Sequence, residues 1–253
     1  MVELLIVVFI IITLLMIIKL SLTSYRERFI KTQYIYTPSS EQLSHPIKVN
    51  AYQVGYAQFK GDNEEQTLST SLLNKGNLTL VVIADGLVDH QKGRLASVVA
   101  TEIMKANFLS SMIQEQGIPY FFTRSLEQID ARVQTDNLVK NIGLIIGLLI
   151  DNVLYHVNIG HNQLLLYRQN ELITLTKSGD NLRKPTRLTI HSKDKLLFAS
   201  KGIHDTLTEM EILWQVQRNY HPQRKCQGLL KEMRKKQQLE QNNCALVLME
   251  KNN

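Results

Sequence analysis

From Ala51 the chain alternates between apolar and polar positions. In "AYQVGYAQF", Tyr52, Val54 and Tyr56 fall on one face, as in a half-buried strand. The run "LTLVVIA" (78–84) is apolar throughout and predicts a strand buried on both faces. Over residues 93–114 the period lengthens to that of a helix, with Leu95, Val98, Val99, Ile103, Met104 and Phe108 along one stripe. A second helical pattern covers residues 121–133. Four strand-like runs follow closely, "LIIGLLI", "VLYHVNI", "QLLLYRQ" and "ELITLT", with Asp151-Asn152 and Gln169-Asn170 in the turns between them. "RLTI" and "KLLFAS" add two more strands, residues 206–216 and 223–239 read as helices, and "CALVLME" (244–250) closes the chain as a strand. Many antiparallel strands with helices inserted in pairs predict an α+β sandwich of sheets covered by helices.

A different pattern stands ahead of this one. Residues 4–22, "LLIVVFIIITLLMIIKLSL", carry a single charge, Lys19, near their end. Nineteen helical residues span about 28 Å, close to the hydrocarbon thickness of a bilayer. A cleaved signal peptide would open with positive charge and end in small residues. Here Glu3 precedes the run, and Lys19, Arg26, Arg28 and Lys31 lie at or beyond its end. The expectation is one transmembrane helix (1–22), with everything after it in the cytoplasm by the positive-inside rule. The sequon Asn77-Leu78-Thr79 then never meets a glycosyltransferase. Residues 23–50, with Pro38, Ser39, Ser40 and Pro46 as breakers, read as a juxtamembrane linker, and 51–253 as the folded domain.

Composition narrows the function classes. A chain of 253 residues with 44% apolar content supports one large domain or two small ones, and its net charge of +6 is moderate. Aromatic residues are not interleaved with the basic ones, so no nucleic-acid partner is expected. Cys226 and Cys244 make neither a disulfide framework nor a zinc cage, which fits a reducing compartment. The seven histidines show no HExxH or zinc-finger spacing, and His156 and His161 read as structural or solvated. There is no nucleophile elbow of the Gly-x-Ser-x-Gly kind and no Gly-rich nucleotide loop. In the basic helical stretch 224–238, Lys231, Arg234, Lys235 and Lys236 form either a solvated face or a contact for anionic lipid or an acidic partner.

Three short motifs carry a resemblance. "IADGLVDHQKGRLAS" has Asp85, Gly86, His90, Gly93, Ala96 and Ser97 in the pattern Asp-Gly-x-Gly-Gly-His-x-x-Gly-x-x-Ala-Ser after a buried strand. "VNIGHNQLLLYRQNELITLT" has Asn158, Gly160, Tyr167, Arg168, Leu172, Leu175 and Thr176 in the pattern of an Asn-x-Gly-Asp-Ser-Arg strand with the hairpin after it. "DKLLFASKGIHD" (194–205) and the closing "NNCALVLME" are the last two pieces. In this order, over about residues 51–250, they resemble the metal-dependent serine/threonine protein phosphatases of the protein phosphatase 2C type. The resemblance implies a four-layer α-β-β-α sandwich of two antiparallel sheets, preceded here by the transmembrane helix. It also implies two divalent cations, Mn²⁺ or Mg²⁺, held by acidic strand ends and bridging a water that attacks a phosphate ester.

Position by position, much of that equipment is replaced. Lys60 stands where the phosphate-holding arginine belongs, and a lysine cannot grip two oxygens at once. Glu64 and Glu65 end the first motif. Asp85 and the Gly86 carbonyl are intact. Acids of the pattern are His161, Lys201 and Asn242. Only seventeen residues separate Thr176 from Asp194, so the family's longer flap over the site is shortened. One reading of Lys201 is an ammonium bridging Glu64, Glu65 and Asp85 in place of the metals; the other is a side chain pointing to water. The resulting expectation is a membrane-anchored, catalytically inactive phosphatase-like domain that binds a protein partner or regulates one, with no cofactor. The alternative is a weak phosphatase with one Mn or Mg ion at Glu65, Asp85 and Gly86, and a third is a structural subunit of a membrane assembly.

Overall fold

The computed structural model describes residues 33–35, 47–59, 67–86, 90–138, 142–236 and 243–251. Two six-stranded antiparallel sheets stack face to face. The first has the order β1 (Gln33–Ile35), β4 (Leu68–Lys75), β5 (Leu78–Gly86), β6 (Ile142–Ile150), β7 (Val153–Gly160), β10 (Asp180–Thr189). The second runs β2 (Ile47–Val49), β3 (Tyr52–Phe59), β12 (Cys244–Lys251), β11 (Lys195–Ala199), β8 (Gln163–Arg168), β9 (Glu171–Thr174). Helices α1 (His90–Leu109), α2 (Met112–Gln116) and α3 (Ile118–Thr135) cover the first sheet. Helices α4 (Lys201–Thr206), α5 (Glu209–Gln217) and α6 (Pro222–Lys236) cover the second.

The four layers follow from the strand patterns. In β5, Val81 and Ile83 point into the space between the sheets, while Leu80, Val82 and Ala84 meet the helices. A strand apolar at every position is what a two-sided burial requires. From the other sheet, Phe198 reaches across so far that a Cβ on Gly147 of β6 would lie 2.5 Å from its ring.

Several boundaries differ from the sequence expectation, each for a local reason. β4 is absent from the pattern reading because "LSTSLLNK" buries Thr70 and Ser71 as well as leucines. β1 and β2 come from residues expected to be linker, so that stretch contributes to both sheets. The helix expected over 93–114 stops at Leu109, and α2 starts after Ser110-Ser111. Its buried stripe is Ala96, Ala100, Met104 and Phe108, whereas Leu95 and Val98 are exposed at 49% and 41%. Small residues win that face because the helix starts in backbone contact with β5. The helix expected over 206–216 begins a turn earlier as α4 and restarts as α5. There Thr208 accepts from the Glu211 backbone N–H at 3.4 Å while the Glu211 carboxylate accepts from the Thr208 N–H at 2.9 Å, a capping box. The short segment after Thr176 is no flap: its residues form β10, the edge strand beside β7. No described helix is long and apolar enough to cross a membrane, and residues 4–22 lie outside the described residues.

Candidate functional site

One end of the sandwich collects the ends of strands from both sheets. β5 delivers Asp85 there, in register with Leu68 of β4 and Gly143 of β6. β7 ends at Gly160, and β8 begins after His161-Asn162. Ser200 follows β11 and Asn243 precedes β12. Three contacts join the chain segments at this end. Thr67 donates to Asp85 Oδ1 at 3.3 Å, and Asn243 Nδ2 donates to Thr67 Oγ1 at 3.1 Å. The Asn162 amide lies beside Gly143, where a Cβ would sit 3.4 Å from its Nδ2 and 3.5 Å from the Asp85 Cβ.

Asp85 is 8% exposed, and its carboxyl is pushed up to about 6. Burial is the largest cause; the Thr67 hydroxyl and the charge of Lys201 both act in the opposite direction. Two neighbouring amides are buried with unmet hydrogen bonds among the described residues: both polar atoms of Asn158, and Nδ2 of Asn162. This end is therefore polar, narrow and partly desolvated, with a single described carboxylate at its centre.

Gly86 sets how α1 meets the site. Its N–H donates to the Thr67 carbonyl at 3.2 Å, and its backbone touches that of Gly93 in the first turns of α1. The Asp-Gly and the Gly of the first motif thus serve one packing purpose: they bring a helix against the strand end that carries Asp85.

The replaced positions fall as follows. Lys201 opens α4 and pairs with Asp205, one turn along the same helix, with side chains 43% and 40% exposed. Its nearest described anion is thus Asp205; Asp85 feels it only through space. Among the described residues Lys201 forms a half-exposed ion pair, because the chain turns into a helix there; Glu64 and Glu65, the other acids of the bridging reading, lie outside the described residues. Ser200, fully buried, holds the end of β11 to β12: its Oγ accepts from the Ala245 N–H at 2.9 Å. His161 is exposed, with Nδ1 2.9 Å from Ser178 Oγ, on the rim of a cavity of about 300 Å³ shared with Asp180 and Arg183. Lys60, Glu64, Glu65 and Asn242 lie outside the described residues. Of the basic α6 residues, Lys235 pairs with Glu232, Lys236 with Glu211, and Arg234 stacks on Phe59, while Lys231 is exposed.

Two hard cations need a shell of oxygen donors. Among the described residues no three His, Cys, Asp or Glu side chains converge; the described carboxylate at this end is Asp85, beside the Gly86 carbonyl and the amides of Asn158 and Asn162. These described groups alone do not make a shell for a metal pair. Sequence reasoning missed Thr67, which sits before the unrecognised β4, and Asn162, which no spacing marks.

No protein-family model and no curated protein matches the chain. Solved structures do. The Mycobacterium tuberculosis serine/threonine phosphatase PstP/Ppp superposes with a TM-score of 0.65 at 16% identity, over 80% of this chain and 99% of that one. The PstP catalytic domain in complex with two manganese ions gives 0.64 at 15% identity, over 80% and 99%. PppA, a key regulatory component of T6SS in Pseudomonas aeruginosa, gives 0.63 at 13% identity, over 81% and 100%. At these identities the likeness establishes the fold: the described domain has the architecture of protein phosphatase 2C-type enzymes.

Proposed function

We propose that this chain is a membrane-anchored, catalytically inactive phosphatase-like domain that binds or regulates a protein partner. The observation that carries the reading is a contrast at one end of the sandwich. The positions that build the scaffold, Gly86, Gly93 and Asn158, keep the phosphatase pattern. The positions that would hold metal carry Lys201 and His161, both solvent-facing. The fold is shared with PppA, a key regulatory component of T6SS in Pseudomonas aeruginosa. Residues 4–22 supply the anchor, with residues 23–253 inside the cell. Lys231 and its basic neighbours on α6 are the surface offered to anionic lipid or an acidic partner.

The test is manganese titration calorimetry on the full chain, run beside hydrolysis of a generic phosphate ester. The expected result is no stoichiometric manganese binding and no turnover above buffer. Tight binding with turnover abolished by Asp85→Asn overturns the reading in favour of a one-metal phosphatase. Protease added to intact cells should leave the domain uncut; digestion from outside would defeat the topology.

A further inference from the structure

The end of the sandwich opposite Asp85 holds a second polar feature. β11 begins there with Lys195, opposite Glu250 of β12 and Tyr167 of β8. A cavity of about 520 Å³ opens between these strand ends and the α5–α6 connection. That volume lies within the usual range of small-molecule sites. Its described walls carry Lys193, Lys195, Arg218, Lys225 and Lys251 against one acid, Glu250, with side-chain amides completing the lining.

The arrangement is built rather than scattered. Lys225 is 1% exposed, and its ammonium pairs with Glu250. Lys195 lies 3.9 Å from the same carboxylate, donates to the Val216 carbonyl at 2.7 Å, and rests over the Tyr167 ring at 4.7 Å. Lys251 donates to the Ile190 carbonyl at 3.0 Å. Each ammonium has three donors, so these bonds fix the heads in place and leave N–H groups over. One carboxylate cannot neutralise this many cations. The Lys195 ammonium is accordingly pushed down to about 8, by burial first and by Lys225 next, with Glu250 opposing.

We infer that this cavity binds a small phosphate monoester, whose two negative charges and ring of oxygens match several converging ammonium and guanidinium donors. The same chemistry is offered by a free metabolite and by a phosphatidic acid headgroup. The inference stands apart from the fate of the Asp85 end, since the two lie at opposite ends of β11 and β12.

The experiment uses the full chain in phosphatidylcholine nanodiscs, titrated calorimetrically with glycerol 3-phosphate and, separately, with short-chain phosphatidic acid. Two variants accompany it. Lys193→Asn with Lys195→Gln removes two charges, keeps a side chain tolerant of the positive φ of 68° at position 193, and retains a donor for Val216. Arg218→Gln removes a charge whose guanidinium stacks on Trp214 near the surface. Saturable binding of glycerol 3-phosphate, weakened tenfold or more in either folded variant, supports the site with a soluble ligand. The same loss seen with phosphatidic acid alone supports it with a lipid ligand. Failure of both probes to bind at millimolar concentration, or affinity unchanged in both variants, overturns it.

Discussion

A Cβ added to Gly86 would lie 2.1 Å from the carbonyl oxygen of Gly93, and one added to Gly93 would lie 2.5 Å from the carbonyl oxygen of Gly86. The strand end and the helix touch backbone to backbone, and neither partner is a flexible side chain that could give way. Gly93→Ala should therefore be destabilising by about 1–3 kcal/mol, the usual cost of overpacking a tight interior. For a domain of this size that is a fall in melting temperature of several degrees. Arg94→Ala, beside it on the exposed face, should change stability by less than about 0.5 kcal/mol. Equal losses for the two variants would show that α1 can slide away from β5.

Lys201 tests a neighbouring surface. Its ion pair with Asp205 is half-exposed and spaced one helical turn apart. Such pairs contribute about 0.3–0.5 kcal/mol. Lys201→Ala should thus be close to neutral in urea unfolding, and Lys201→Met with Asp85→Asn should be additive. A loss of about 3 kcal/mol or more, rescued by Asp85→Asn, would put the ammonium back among buried acids.

These two cases mark what the sequence carries. Strands with unbroken apolar runs, such as β5, β6 and β12, are legible because burial on both faces leaves no other composition. The direction of Lys201 is not, since it depends on whether the chain continues extended after Ser200 or turns. α4 decides that through packing of Gly202 and Ile203, both buried. β4 escapes because its serines and threonines read as loop until the register with β5 pairs them. The cavity at Lys195 is likewise invisible in the sequence. Its residues come from four separate stretches, and a lysine in an otherwise apolar helix face looks like a solvated charge.

Lys225 is the strongest case of that kind. It is buried on α6, with Glu250 as its ion-pair partner, and Glu250 is itself 18% exposed. Removing one member of a fully buried pair costs up to about 3–5 kcal/mol, and Lys195, 3.9 Å from the same carboxylate, reduces that here. Lys225→Met should accordingly lower the melting temperature clearly. Adding Glu250→Gln should recover part of the loss, because the carboxylate left with Lys195 alone is then gone. Some recovery will be missing, since Lys195 also loses its nearby anion. Strictly additive melting temperatures would mean that Lys225 escapes to solvent.

His156 makes the stability of the domain sensitive to acid. It sits in the middle of β7, in register with Gly147 of β6 and Thr186 of β10, and is 3% exposed. Its Nδ1 has no hydrogen-bond partner among the described residues. Burial disfavours the charged ring and lowers its pKa from 6.5 to about 4. The unfolded chain therefore takes up a proton below pH 6.5, while the folded chain holds a neutral ring until about pH 4. Protons favour the unfolded state across that window, so stability falls as pH drops through it and levels off below. Keeping the ring neutral down to about pH 4 corresponds to a loss of about 3 kcal/mol. His204 on α4 is also lowered to about 4, chiefly by burial, and adds a loss in the same window. Asp85, raised to about 6, takes up its proton first in the folded chain and offsets part of this loss, so urea unfolding from neutral pH down to about 4 should show a moderate net decline in the native protein. His156→Gln, which cannot take a proton there, should lose most of that decline while remaining folded at neutral pH. An unchanged slope in the variant would mean that the ring is protonated in the folded chain, and that the centre of β7 admits water.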